Sequence, residues 1–96
     1  MLLLSKFKIS GHSMEPALKN GDKILATNFF YLFKSPQIND IVIVKDKENI
    51  ILVKRIINVR NNRYIVLGDN KKDSLDSREF GSIKRDQILG KFIYKL

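Results

Sequence analysis

Four residues of this chain have side chains that could carry covalent chemistry together: Ser13, His12, Lys54 and Ser74. Ser13 lies in Gly11-His12-Ser13-Met14-Glu15-Pro16-Ala17-Leu18-Lys19-Asn20-Gly21-Asp22, between an apolar run and a turn-rich segment. A loop bracketed by glycine and proline is stiff, so it would present the hydroxyl to a substrate. A serine hydroxyl is not appreciably ionised at neutral pH, and a nucleophilic one needs a base. His12 is adjacent, but neighbouring side chains on extended backbone point to opposite sides. Lys54, flanked by Val53 and Ile56, is the better base: burial disfavours its charged form, and a neutral amine accepts a proton. Arg55 then faces the other way and stays charged. Ser74, in the polar loop 68–81, could hydrogen-bond the Lys54 amine and fix its aim. Each residue alone also has an ordinary reading: a turn serine, a lysine snorkelling to water along its stem, a loop serine.

These residues need a frame, and the alternation of polar and apolar positions supplies one. Residues 6–10 alternate and read as a half-buried strand feeding the Ser13 loop. After the turn signal Asn20-Gly21-Asp22, residues 23–27 read as a second strand. Asp40-Ile41-Val42-Ile43-Val44 is β-branched and continuous, hence a buried strand. Residues 46–49 turn the chain, 50–53 start the return strand and 56–59 continue it, which sets Lys54 within or just after a deeply apolar strand. Asn61-Asn62 reads as a hairpin turn into residues 64–67, and residues 88–94 close as a strand with Gly90 as a candidate bulge. Phe29-Phe30-Tyr31-Leu32-Phe33 is a dense aromatic cluster. Such clusters belong most often to a core; the alternative is an exposed lip that grips an extended peptide or makes peripheral contact with a membrane. Many short strands and no long amphipathic helix argue a mainly β fold, a small antiparallel barrel-like or coiled sheet, in a single domain spanning 1–96.

Composition narrows the class. The 96 residues suffice for one core and are too few for two. With no cysteine there is no disulfide framework, thiolate nucleophile or thiolate metal site, and a single histidine argues against zinc. Neither a metal nor a cofactor is expected. The net charge of +8 suits an anionic partner, yet lysines and arginines are scattered through every segment, as on a generally solvated basic surface. Met1-Leu2-Leu3-Leu4 meets Ser5-Lys6-Phe7-Lys8 at once, too short an apolar run for a signal-peptide core or a membrane span, so a soluble or peripheral chain is expected.

Four motifs then stand in order: Gly11-x-Ser13-Met14-x-Pro16-x-Leu18 with Gly21-Asp22; Asp40-Ile41-Val42-Ile43-Val44; Val53-Lys54-Arg55-Ile56; and Gly68-Asp69-Asn70 through Ser74-x-Asp76-Ser77-Arg78-x-Phe80-Gly81. In this order they resemble the signal peptidase I family over roughly residues 11–91. The resemblance implies Ser13 as nucleophile, Lys54 as general base and Ser74 as the residue that orients the lysine. It implies that Asp69, Asp76 and Arg78 shape the site through ion pairs and hydrogen bonds, and that Met14 packs beside the catalytic pair. For the oxyanion it implies the Ser13 N–H and a donor at Gly11, where some members carry a serine hydroxyl; glycine leaves only backbone or water for that role. The implied enzyme is a serine endopeptidase that removes a leader or signal segment from a protein precursor, bound extended as an added strand, with small side chains near the cut.

Ala17 stands where the family has threonine, and Asn39 where it has glycine before Asp40. Ordinary bacterial members carry N-terminal membrane spans and a sizeable domain between the lysine and the final loop, whereas only a hairpin separates Lys54 from Asp69. In size and layout the chain resembles the small nickel-type superoxide dismutase maturation proteases, which implies a cytoplasmic, soluble protein; attachment at a membrane surface is the alternative. LexA-type self-cleaving proteins share the Ser-Met and Val-Lys-Arg elements but lack the Gly-Asp-Asn to Asp-Ser-Arg loop, and rank second. The rival from outside the enzymes is a basic β-barrel whose aromatic rings stack on nucleic acid, although nucleic acid is not the expected partner.

Overall fold

Alternation along one short strand divides the protein into two faces. In the computed structural model, which describes residues 4–70, 72 and 81–96, Val42 and Val44 of the strand Ile41–Lys45 point to one side and Ile43 to the other, all three almost fully buried. The strands in chain order are β1 (Ser5–Lys8), β2 (Lys23–Thr27), β3 (Ile41–Lys45), β4 (Ile51–Arg60), β5 (Arg63–Leu67), β6 (Ile83–Lys84) and β7 (Ile88–Lys95). They form one antiparallel sheet in the order β1-β2-β7-β3-β4-β5-β6, curled into a half-barrel, and the described residues include no α-helix. β3 is the central strand. On its Val42 side, Ile56 of β4, Tyr64 and Val66 of β5, Ile83 of β6 and Ile88 of β7 make one core. On its Ile43 side, Ile24 and Ala26 of β2 meet Ile9, Met14 and Leu18 of the Ser13 loop in a second. Each such side chain removed from water contributes roughly 1.5–3 kcal/mol.

The mainly β expectation holds, and most strands lie within a residue or two of where alternation set them. The segments 50–53 and 56–59 prove to be one strand of 10 residues that carries Lys54 inside it. Its length is accommodated by an extra residue: Ile56 pairs with Val66 but Asn58 with Ile65, so Ile57 bulges outward. Asn61 and Asn62 both take left-handed backbone, φ 50° and 63°, as a tight hairpin requires. Against β3 the extra residue of β7 is Leu89, beside Gly90. Gly90 itself answers to close approach, since a Cβ there would sit 3.0 Å from the Thr27 carbonyl oxygen. The two-residue β6 and the two 3₁₀ turns, Phe30–Leu32 and Arg85–Gln87, are too short to leave a periodic signal.

One open alternative is decided. The aromatic cluster is not core: Phe29 and Phe30 are about half exposed at 46% and 48%, and Phe33 is 78% exposed. Only Tyr31 turns inward, against the β3–β5 core, where its hydroxyl donates to Asp40 Oδ2 at 2.6 Å. Burial first, and then that hydrogen bond, push the Tyr31 phenol well above its ordinary range, so it stays a donor. A 3₁₀ turn of three residues offers one inward position, and the remaining rings are left on the surface. Among the described residues no helix is long and apolar enough to cross a membrane.

Candidate active site

The Ser13 loop is a closed turn tied at its base. Ile9 N–H donates to Asp22 O at 2.7 Å and Gly21 N–H to Ile9 O at 2.8 Å, so the two ends of the loop leave the sheet together. Inside it, Lys19 N–H donates to Asp22 Oδ2 and Gly11 N–H to Asn20 Oδ1, both at 2.8 Å. Met14 and Leu18, each 2% exposed, pin the loop to the second core. Gly11 adopts φ 92°, a left-handed conformation that disfavours any residue with a Cβ. The Glu15–Pro16 peptide is cis. Ser13 is thereby held half-buried between anchored neighbours.

Lys54 reaches the same point from the other half of the sheet. It pairs across β3 with Val42 and lies two residues before Ile56, so its stem lies on the side of the first core. The residue is 2% exposed, and Nζ lies 3.1 Å from Ser13 Oγ, a contact between positions 41 apart in sequence. That separation suits either direction of the hydrogen bond: an ammonium donating to the hydroxyl, or the hydroxyl donating to a neutral amine. The two side chains meet where the two cores meet, each delivered by a different one.

The segment after β5 locks this junction. Asn70 N–H donates to Ser13 O at 2.8 Å, and its Nδ2 donates to His12 O at 3.1 Å, so one residue holds two consecutive carbonyls of the Ser13 loop. Asp69 is in turn clamped by Arg55, whose Nε and Nη2 donate to the two carboxylate oxygens, each at 2.9 Å. Arg55 Nη1 also donates to Asn39 O at 3.2 Å. Asp69 raises the guanidinium pKa further through these hydrogen bonds, against a smaller effect of burial, and Arg55 stays charged. Arg55 faces away from Lys54, as alternation requires. Asn39 has φ 80°, which asparagine tolerates better than most residues, so its place in a glycine position is structurally accommodated.

Of the residues singled out from sequence, Ser13, Lys54 and Met14 come together, with Gly11 in the same loop and Asp69 behind it. The Gly11 N–H is directed to Asn20 Oδ1, whereas the Ser13 N–H donates to no described residue. His12 Nδ1 lies 2.7 Å from Glu15 Oε2 on the exposed side of the loop. Ser74, Asp76 and Arg78 lie outside the described residues. Asn70 was not singled out as a site residue; its place in Gly68-Asp69-Asn70 was the available signal. Among the described residues no three His, Asp or Glu side chains gather as a metal site would need. Ser13 and Met14 border a groove of about 240 Å³, with Phe7 and Ile9 on one bank and Leu52 and Val53 of β4 on the other.

The family model described as "Signal peptidase, peptidase S26" matches residues 1–59 and 58–96. Mitochondrial inner membrane protease subunit 1 of Mus musculus is 32% identical over 111 residues, covering 91% of this chain and 66% of that protein. Signal peptidase I V of Bacillus subtilis (strain 168) is 24% identical over 135 residues, covering 88% of this chain and 80% of that protein. Signal peptidase IB of Staphylococcus aureus is 23% identical over 148 residues, covering 97% and 78% respectively. All three alignments are longer than this 96-residue chain, so these relatives carry segments with no counterpart in it.

Proposed function

The chain belongs to the signal peptidase, peptidase S26, family and is a serine peptidase; from that premise we propose that it is a Ser13–Lys54 endopeptidase that cuts a leader or signal segment from a protein precursor. The observation that supports the assignment most directly is the 3.1 Å contact between the Ser13 hydroxyl and the amine of a lysine that is 2% exposed. At that distance the amine, in its neutral form, can take the Oγ proton. Oγ then attacks the scissile carbonyl carbon, and the Ser13 N–H faces the oxyanion. The Lys54 ammonium returns its proton to the departing amine, leaving an ester on Ser13. A water, deprotonated by the same amine, attacks that ester and frees Oγ. Ser74, carried over from the family pattern, is assigned the orienting role toward Lys54, and Asp76 and Arg78 the shaping of the same loop. Leu52 and Val53 make one wall of the groove, and small side chains beside the cut suit the close approach to Met14.

Because only the neutral amine is a base, the rate should rise with pH along a limb set by Lys54. The measurement is single-turnover cleavage of a synthetic peptide with alanine at the first and third residues before the bond. A flat profile from pH 5 to pH 9 would remove Lys54 from this role, and no cleavage at any pH would remove the peptidase assignment.

The precursor is best met at a membrane surface. Leu4 precedes Ser5, the partner of Ala26 at the end of β2 that leads into Phe29, so Leu4 and the aromatic lip share one end of the sheet. Leu4, Leu32 and Phe33 are all more than half exposed. Lys34 flanks them, and Lys91 Nζ lies 5.5 Å from the Phe30 ring centroid. Apolar rings ringed by lysines suit the interface of an anionic bilayer. Phe29→Ser with Phe33→Ser should weaken cosedimentation with phosphatidylglycerol-containing vesicles about tenfold or more. Equal sedimentation of the variant and the unaltered protein would assign the lip another partner.

A further inference from the structure

The groove continues beyond Phe7. A second cavity of about 320 Å³ opens there, bordered by Ser5, Phe7, Ala26, Asn28, Ile43 and Leu89, and Phe7 is a wall of both. Ser5, Phe7 and Ile9 alternate to one face of the first strand, and Ala26 and Ile43 belong to the core that seats Met14, so cavity and groove lie on one side of the sheet. Ser5, Asn28 and Leu89 belong to neither core. The walls are mostly apolar, yet Asn28 Oδ1 is buried with no hydrogen-bond partner among the described residues. A donor on an occupant of the cavity could reach this acceptor after a turn of the amide about its last bond.

The sheet also offers a path between the two. Among the described residues β1 pairs only with β2, and residues 51–54 of β4 pair only with β3, because β5 joins at Arg55. Four antiparallel steps separate β1 from β4, so the two run parallel, and both lead toward the Ser13 end. An added peptide strand could run along them in either sense. The apolar cavity selects the sense, since the apolar part of a leader lies upstream of its cleavage site. From the level of Ile9 to that of Ser5 is about 13 Å at ~3.3 Å per residue. With alternate side chains facing inward, the first and third residues before the bond enter the groove, and the fifth reaches the cavity.

We propose that this cavity is a specificity subsite for a medium-sized apolar side chain five residues before the cleaved bond, with Asn28 receiving a donor from the same stretch of substrate. This rests on the peptidase reading above. The test uses three synthetic peptides with alanine at the first and third residues before the bond and leucine, alanine or aspartate at the fifth. The unaltered protein should cleave the leucine peptide with kcat/KM at least tenfold above the aspartate peptide, the alanine peptide falling between. Ser5→Phe, which fills the cavity from an edge strand, should bring the three values within about twofold of one another. Leu89→Trp fills it from the opposite wall should Ser5→Phe fail to fold, as thermal melting would reveal. Equal values in the unaltered protein overturn the subsite and leave the peptidase standing. A preference that survives both filled cavities overturns it as well. No cleavage of any peptide overturns the peptidase reading and the subsite with it.

Discussion

Lys54→Met is expected to lower single-turnover cleavage by at least about 10³-fold while leaving the thermal midpoint unchanged or raised. The substitution keeps an unbranched apolar stem at a position that is 2% exposed, and it removes an amine whose burial is costly. Only the group 3.1 Å from Ser13 Oγ is lost. Ser13→Ala should match it, and the double variant should be no slower than either single one, because nucleophile and base act in the same step. Lys54→Arg should also fail, since a guanidinium stays charged at any pH the protein tolerates. Peptide cleavage measured beside a melting curve separates lost chemistry from lost fold. Activity within tenfold of the unaltered protein in folded Lys54→Met would end the dyad assignment.

Arg55→Met is expected to lower kcat by about 10²-fold with a much smaller change in KM, although Arg55 faces away from the reacting atoms. The chain of contacts explains why. Arg55 grips both oxygens of Asp69, and the next residue, Asn70, holds the carbonyls of His12 and Ser13. Releasing Asp69 loosens Asn70 and with it the aim of the Ser13 hydroxyl, and a displacement of about 1 Å is enough for such a loss. The stability cost should be modest, about 1–2 kcal/mol, because the two side chains remain 31% and 20% exposed and water screens the pair. Arg55→Lys should rescue little, since an ammonium cannot reproduce the two-pronged contact. Asn70→Ala should lose rate in the same way, and the double variant with Arg55→Met should lose less than the two singles combined. Additive losses would mean that the two contacts act independently.

Much of this was legible in the chain itself, because the signals involved are local. The continuous β-branched run at 41–44 and the short apolar runs at 23–27 and 88–94, bounded by turn signals, announce strands. Asn61-Asn62 announces its hairpin because asparagine tolerates left-handed backbone. Chemistry named Ser13 and Lys54, since a serine nucleophile needs a base and a lysine among valine and isoleucine is suited to be one; motif order then tied them to a family. Ser74, Asp76 and Arg78 were named only through that family, and they stay outside the described residues.

Tertiary structure alone decided the rest. No local pattern places β7 between β2 and β3, because strand order depends on pairing between segments far apart in sequence. The sequence left Phe29 to Phe33 open between core and surface, and only the way a short turn meets the β3–β5 core sends Tyr31 inward and the phenylalanines outward. The same holds for the site. Residue types and motif order predicted that Ser13 and Lys54 act together, but their 3.1 Å contact and the Asn70 clamp exist because two cores on opposite faces of one curled sheet converge there.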